Sequence, residues 1–293
     1  MTAVPVHRHV HDAKAGKRDP TRTSDIRRIW RGELERRIAT LKNYVRGAIL
    51  QTDFLELSVA PWASRAGINP RLDTKIKVFA DWFKSINDKI VFGDDGGWTR
   101  PYVGNAYLRG HQHAAQRLKE QLPMMIDSAK LSALQMITIN DIDGITDVAE
   151  QQVVRVVAEA LKNKHSPQLL MREVNQRIDV IERARGRTWV NSIVIGAYTE
   201  GTLDAYRLIG VQQVGIIPEF VSSNKLRVKD AEVALITAGD DEVCEECFEL
   251  EGTIYELEDA YGVIPVHPNC RCAWIPIEDK RFKKIRVGEE DFD

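Results

Sequence analysis

All four cysteines of this chain lie between residues 244 and 272, as Cys244-x-x-Cys247 and Cys270-x-Cys272, and His267 stands three residues before Cys270. A thiolate pair, a gap of about twenty residues and a second cluster combining thiolates with an imidazole is the usual spacing of a small zinc site. This feature constrains the fold because the same stretch is poor in core residues. Phe248, Leu250, Ile254, Tyr255, Leu257, Tyr261, Val263 and Ile264 are too few to hold a separate unit without a staple. Five candidate ligands compete for four tetrahedral positions. Cys244 and Cys247 form one knuckle, and His267, Cys270 and Cys272 supply the other two positions. Two disulfides, or reduced thiols in a turn, are the alternatives. The first twenty residues are polar and lack an apolar signal segment. The expectation is therefore an intracellular chain, in which stable disulfides are disfavoured, and a structural Zn²⁺.

The second knuckle is more specific than a metal spacing. The string Pro265-Val266-His267-Pro268-Asn269-Cys270-Arg271-Cys272 follows Asp240/Asp241, the Cys-x-x-Cys and Leu250-Glu251-Gly252. This arrangement resembles the C-terminal signature of the phage head morphogenesis family, the Mu F-like minor head proteins. That family carries an aspartate before C-x-x-C, then Leu-x-Gly, then HPNCRC ahead of an apolar strand, here Ala273-Trp274-Ile275-Pro276-Ile277. The likeness spans about residues 98–277 and is sharpest over 235–277. Upstream, Trp98, Tyr102, Ala106, Tyr107, Gly110 and Ala114 also follow the family pattern, and as aromatic and small residues at helical spacing they read as core. In Gly196-Ala197-Tyr198-Thr199-Glu200 the Thr-Glu pair of the family matches and its Arg does not. Leu235–Asp240 takes the place of a Trp-x-Thr-x-x-Asp element without the Trp.

The resemblance implies a structural virion component associated with the portal and the inner procapsid, acting in head assembly, DNA packaging or DNA delivery. It implies portal protein and a major capsid or scaffolding protein as partners. It also implies a location inside the head near the portal, and in host cytoplasm during assembly. The runner-up is a host-directed effector or a zinc-dependent hydrolase carried by a Mu F-like protein.

Charge is unevenly distributed. The formal net charge is only −2, which argues against a protein that coats nucleic acid over its full surface. Yet residues 1–46 hold twelve Lys/Arg against five acids, while Asp240–Asp259 contribute ten acids and no cation lies between Lys229 and Arg271. A basic arm over residues 1–23 is expected to be disordered when free, and can reach packaged DNA or an acidic partner; a solvated tail is the plainer reading. His7, His9 and His11 in that arm are given no role. The apolar runs are short and interrupted, so neither a membrane span nor a membrane partner is expected.

Periodicity predicts a mainly α chain. A first helix starts near Ser24 as N-cap and carries Ile26, Trp30, Leu34, Ile38, Leu41, Val45 and Ile49. A second carries Leu72, Ile76, Phe79, Phe83, Ile86 and Ile90 and ends at the glycines after Gly93. A third spans about 98–122. Residues 125–142 read as a short helix or strand, with Asp143-Gly144 a turn. Further helices run through Val148–Leu161, from Ser166-Pro167 as cap and first residue, and from Arg187 to Leu208. Short strands are expected at Val214–Ile217, Phe220-Val221, Leu226–Val228 and Val233–Ile236. The fold class is thus α+β, mainly α: helical over its first two-thirds, then a small C-terminal α/β module with a zinc-knuckle-like Cys/His cluster. The expected divisions are a flexible arm (1–23), a helical domain (24–142), the head-morphogenesis domain (143–277, its Cys/His module at 235–277) and a charged tail (278–293).

Catalytic patterns are absent from the sequence. It holds no G-x-x-x-x-G-K-[ST], which excludes a packaging ATPase of the usual form, and no G-x-G-x-x-G, H-E-x-x-H or G-x-S-x-G. A zinc with an open position would permit hydrolysis, with Glu245, Glu246 or Glu249 as base. Five ligands for four positions point instead to a closed structural site, so no enzymatic activity is expected. The acidic module offers Arg271 as its single cation, so its own face is not expected to bind DNA.

Overall fold

The computed structural model describes residues 19–51, 72–93, 96–118, 127–214 and 232–277. In chain order the helices are α1 (Ser24–Arg46), α2 (Leu72–Asn87), α3 (Arg100–Leu118), α4 (Ser128–Lys162), α5 (Pro167–Ile181), α6 (Arg187–Val214) and α7 (Glu245–Leu250). The strands are β1 (Glu232–Ile236), β2 (Ile254–Glu256) and β3 (Ala273–Pro276). π-Helical turns follow α1 (Gly47–Gln51) and α2 (Asp88–Phe92), and a third, Glu182–Gly186, links α5 to α6. The molecule is mainly α, with a small antiparallel sheet beside its Cys/His cluster.

Several helix boundaries follow from local chemistry. Ser166 caps α5: its hydroxyl accepts a hydrogen bond from the Leu169 amide at 3.3 Å, and Pro167 fills the first helical position. Ser24 is the first residue of α1 rather than its cap. The π-turn after α2 stops at Gly93, whose φ of 79° is left-handed.

Two expectations are corrected. Asp143-Gly144 is no turn, because α4 runs unbroken from Ser128 to Lys162. A glycine inside a helix costs only about 1 kcal/mol, and the buried stripe Thr138, Ile142, Thr146, Val153, Val157 and Ala160 continues in register through it. Burial of that stripe outweighs the one poor helix former. Likewise α6 runs to Val214, so the change from helix to strand expected after Gly210 does not occur there. The strands expected over 215–231 lie outside the described residues, as do the basic arm to residue 18 and the charged tail.

The chain forms two compact units that interleave along the sequence. The division expected at 142/143 falls inside α4. One unit takes in the described parts of Ile26–Val103 and Ala129–Asn191. Its centre is Trp30 on α1, fully buried, stacked on Tyr102 at 5.2 Å and edge-on to Trp189 at 5.0 Å. Arg37, two helical turns beyond, covers the Trp98 ring at 4.4 Å and donates to the Ile90 carbonyl at 2.8 Å. That bond ties α1 to the π-turn after α2.

The other unit comprises the described parts of Met1–Asp25, Gly104–Ser128 and Ser192–Asp293. Here α3 and α6 touch backbone to backbone. A Cβ on Gly110 would overlap the Tyr198 carbonyl oxygen, and one on Gly201 would overlap that of Tyr107. Asp204 on α6 accepts from the hydroxyls of Tyr107 (2.6 Å) and Tyr261 (2.8 Å), so one carboxylate links α3, α6 and the loop after β2. Burial, reinforced by that carboxylate, raises the pKa of both phenols and keeps them protonated donors. The sheet order is β2-β1-β3, with Val233 opposite Tyr255 and Leu235 opposite Trp274. Its buried side chains meet Ile195, Leu203 and Tyr206 of α6, and Cys247, Cys270 and Cys272 belong to the same buried cluster. The cysteine-rich segment therefore shares one core with the long helix, adding Leu235, Leu257, Ala260, Ile264 and Trp274 to it.

Candidate metal centre

The strands bring the two knuckles together. Cys244 is the N-cap of α7, with its sulfur 3.4 Å from the Cys247 amide, so the Cys-x-x-Cys spacing is one opening helical turn. Gly252, at φ 77°, ends that excursion and donates its amide to the Leu235 carbonyl at 2.9 Å. This gives the Leu-x-Gly string a physical reason: only a residue without Cβ takes that turn freely, and it returns the chain beside β1. The second knuckle is also a turn. The Cys270 amide donates to the His267 carbonyl at 3.1 Å, with Pro268 and Asn269 between them and Asn269 at φ 65°. Proline followed by a residue tolerating positive φ is the preference of a type II turn, which places His267 and Cys270 on facing arms.

All five expected ligands converge. They form two overlapping groups, Cys244–Cys247–His267 and Cys247–Cys270–Cys272, and within each group the ligand atoms lie within 4.8 Å of one another. Cys247 is common to both. Its sulfur is 2.9 Å from His267 Nε2 and 3.9 Å from Cys270 Sγ, and Cys244 Sγ is 3.0 Å from the same Nε2. The edge of a Zn–thiolate tetrahedron is about 3.8 Å for bonds of about 2.3 Å, so the Cys247–Cys270 pair already has the right separation. The His267 tautomer follows from its neighbour. Nδ1 lies 2.7 Å from the Pro268 carbonyl. A carbonyl only accepts, so Nδ1 carries the proton and the Nε2 lone pair faces the two sulfurs. All four cysteines are free thiols.

The thiols are electrostatically unequal. Cys270 is lowered to about 5, chiefly by the hydrogen bond from the Cys272 side chain, against the opposing effect of burial. Cys272 is pushed up by the same bond and by burial. Burial first, with the Cys270 charge adding to it, raises Cys247 to about 12. Among these three thiols the first negative charge therefore rests on Cys270, and Cys247 and Cys272 keep their protons until a cation replaces them. With Cys247, Cys270 and Cys272 buried and Cys244 exposed, the cluster can hold a thiophilic metal ion mainly inside the protein.

Sequence reasoning did not see how Arg271 is used. Its guanidinium forks onto both carboxylate oxygens of Asp240, at 2.5 and 2.7 Å, and reaches Glu242 at 3.3 Å. Asp240 in turn accepts from the Glu242 amide at 3.1 Å. Arg271 stands between two ligands, and Asp240 opens the loop that delivers Cys244, so the pair bolts one knuckle to the other. Arg271 holds the Asp240 carboxyl below its ordinary range. The visible signal is a lone cation in an acidic stretch, which by sequence alone counts only as too little positive charge for the module's face to bind DNA. Thr199 of the Thr-Glu pair has a positioning role too: its hydroxyl donates to the Gly196 and Ile264 carbonyls (2.9 and 3.2 Å), seating the chain that leads to His267 against α6. Glu245, Glu246 and Glu249 are exposed and belong to neither ligand group. His7, His9 and His11 lie outside the described residues.

No protein-family model matches the chain, and neither a curated protein nor a solved structure matches it.

Proposed function

We propose that this chain is a minor head protein of the Mu F-like kind, with its C-terminal module closed by a structural Zn²⁺ ion. The observation that carries the reading is that each element of the signature string has a part in one small construction. The aspartate and the arginine pair, the Leu-x-Gly turn returns the chain to the sheet, and the His-Pro-Asn-Cys turn aims the second ligands at the first. A resemblance limited to scattered cysteines would not account for Asp240, Gly252, Asn269 and Arg271 together. The donor set is soft, as Zn²⁺ prefers, and exceeds by one the four ligands of a closed tetrahedron. Zinc there would neutralise the buried thiolates and tie α7 to the strand that follows Cys272. The residues themselves supply the scaffold and the ligand orientation.

In this reading the protein acts in head assembly, DNA packaging or DNA delivery, inside the head near the portal and in host cytoplasm before that. Its partners are portal protein and the major capsid or scaffolding protein. The exposed acids of α7, Glu245, Glu246 and Glu249, repel DNA and favour a basic protein surface; complementarity of that kind sets orientation and association rate. Replacing all three with Lys is expected to weaken portal association, most clearly at low salt, while metal content stays unchanged. Normal loading of the triple variant into particles would contradict the proposed docking face.

A further inference from the structure

On the inner side of α4 the stripe Thr138, Ile142 and Thr146 is buried, and Asn87 donates to the Thr146 carbonyl at 3.1 Å. The opposite face changes character along its length. In the second half of the helix it carries Gln151, Arg155 and Glu159, all exposed, with the last two paired at 3.2 Å. In the first half it carries Ala129, Ala133, Met136 and Ile137, also exposed, Met136 at 58% and Ile137 at 53%. Leu131 and Leu134, half-buried, complete the other side. Residues 129–139 are thus apolar around most of the helix, with Lys130 as their single charge. A helix apolar on every side is ordinarily covered on every side. Solvent alone would favour the polar pattern that the second half shows.

We propose that this face of α4 pairs antiparallel with the same face of a second copy of the chain. The face is its own complement. A two-fold axis between Met136 and Ile137 brings Met136 level with the partner's Ile137, Ala133 with the partner's Asn140 and Ala129 with the partner's Gly144. Bulky side chains then meet at the centre, while Ala and Gly at the ends let the backbones approach. Charge selects the direction. Lys130 and Asp141 stand on one edge of the face, eleven residues or about three turns apart. The axis places Lys130 within about 3 Å of rise of the partner's Asp141. A parallel pair would instead set Lys130 against the partner's Lys130 and Asp141 against the partner's Asp141, like charge on like. Asp141 and Asp143, both exposed, also repel nucleic acid and anionic lipid. An unlike protein would need only an apolar patch; the reciprocal placement of cation and acid fits a second copy. The inference does not rest on the head-protein reading.

The test is sedimentation velocity of the full chain over a range of concentrations. The wild type is expected to shift from monomer to dimer as concentration rises, and Met136→Glu/Ile137→Glu to stay monomeric. Both positions are exposed and Glu is a good helix former; circular dichroism and melting check the fold. Val180→Glu, at an exposed apolar position of α5, is the control and is expected to dimerise as the wild type does. Direction is read from charge. Lys130→Asp and Asp141→Lys are each expected to weaken the dimer by about two- to thirtyfold, the strength of an exposed ion pair made twice. The double variant is expected to recover wild-type affinity. Should the glutamate variant unfold, the charge variants alone decide. A wild type monomeric throughout, a dimer that survives Met136→Glu/Ile137→Glu, or charge variants whose combination recovers nothing overturns the proposal. A monomeric wild type that sediments with neutral phosphatidylcholine vesicles, with binding lost in Met136→Glu/Ile137→Glu, would also overturn it and assign the face to a bilayer.

Discussion

Around Trp30, aromatic rings stack on one another and Arg37 closes the edge by covering Trp98. Around Cys247, buried thiols meet a half-buried imidazole, and the knuckles are joined by an Asp–Arg fork. The first region is held by apolar area that needs nothing from outside the chain. The second places thiols in a buried cluster to which α6, β1 and the segment after β2 all contribute apolar residues, and a bound cation would balance its thiolates. The difference predicts that the helical regions tolerate loss of metal and the module does not.

The largest expected effect falls on the α3–α6 crossing, in the unit that also holds the Cys/His module. Gly110→Ala drives a Cβ into the Tyr198 carbonyl, backbone against backbone, where no rotamer gives relief. Destabilisation above about 4 kcal/mol, or failure to fold, is expected in thermal melts. Gly104→Ala, on the same helix with open space around it, is expected to stabilise by up to about 1 kcal/mol. Equal behaviour of the two would remove the close crossing of α3 and α6 from the account.

A smaller effect is expected at the edge of the metal centre. Asp240→Asn keeps the shape of the side chain and loses the charge that Arg271 grips. Residues that orient ligands typically carry a factor of about 10–100 in metal affinity, and competition with a chromophoric chelator measures it. Helix content is expected to stay the same. Unchanged affinity would reduce the Asp240–Arg271 pair to surface decoration. The smallest effect on stability belongs to Glu245, Glu246 and Glu249: reversal to Lys is expected to move the melting free energy by no more than about 0.5 kcal/mol, which separates their proposed docking role from folding.

Most of the helices and the five candidate ligands were legible in the sequence because periodicity and cysteine spacing are local signals. The stripe from Ile26 to Ile49, the Ser166-Pro167 start and the strands around Leu235 and Trp274 were read from neighbours within a few residues. What escaped was set by distant partners. The length of α4 through Gly144 depends on what buries Thr138, Ile142 and Thr146. The purpose of Arg271 depends on Asp240, thirty-one residues away. The interleaving of the two units depends on which halves of α3 and α6 pack together, and no run of residues announces that. Composition supplied the charge contrast between residues 1–46 and the acidic module.

Metal analysis combined with melting tests the central claim most directly. About one zinc per chain should survive gel filtration of the full-length protein, and Cys247→Ser, which removes the sulfur shared by both ligand groups, should abolish it. Chelation should then produce a separate early transition in the module while most helical signal persists, because metal binding there is folding free energy. A metal-free chain that melts in a single transition at the same Tm as the metal-loaded one would contradict the account.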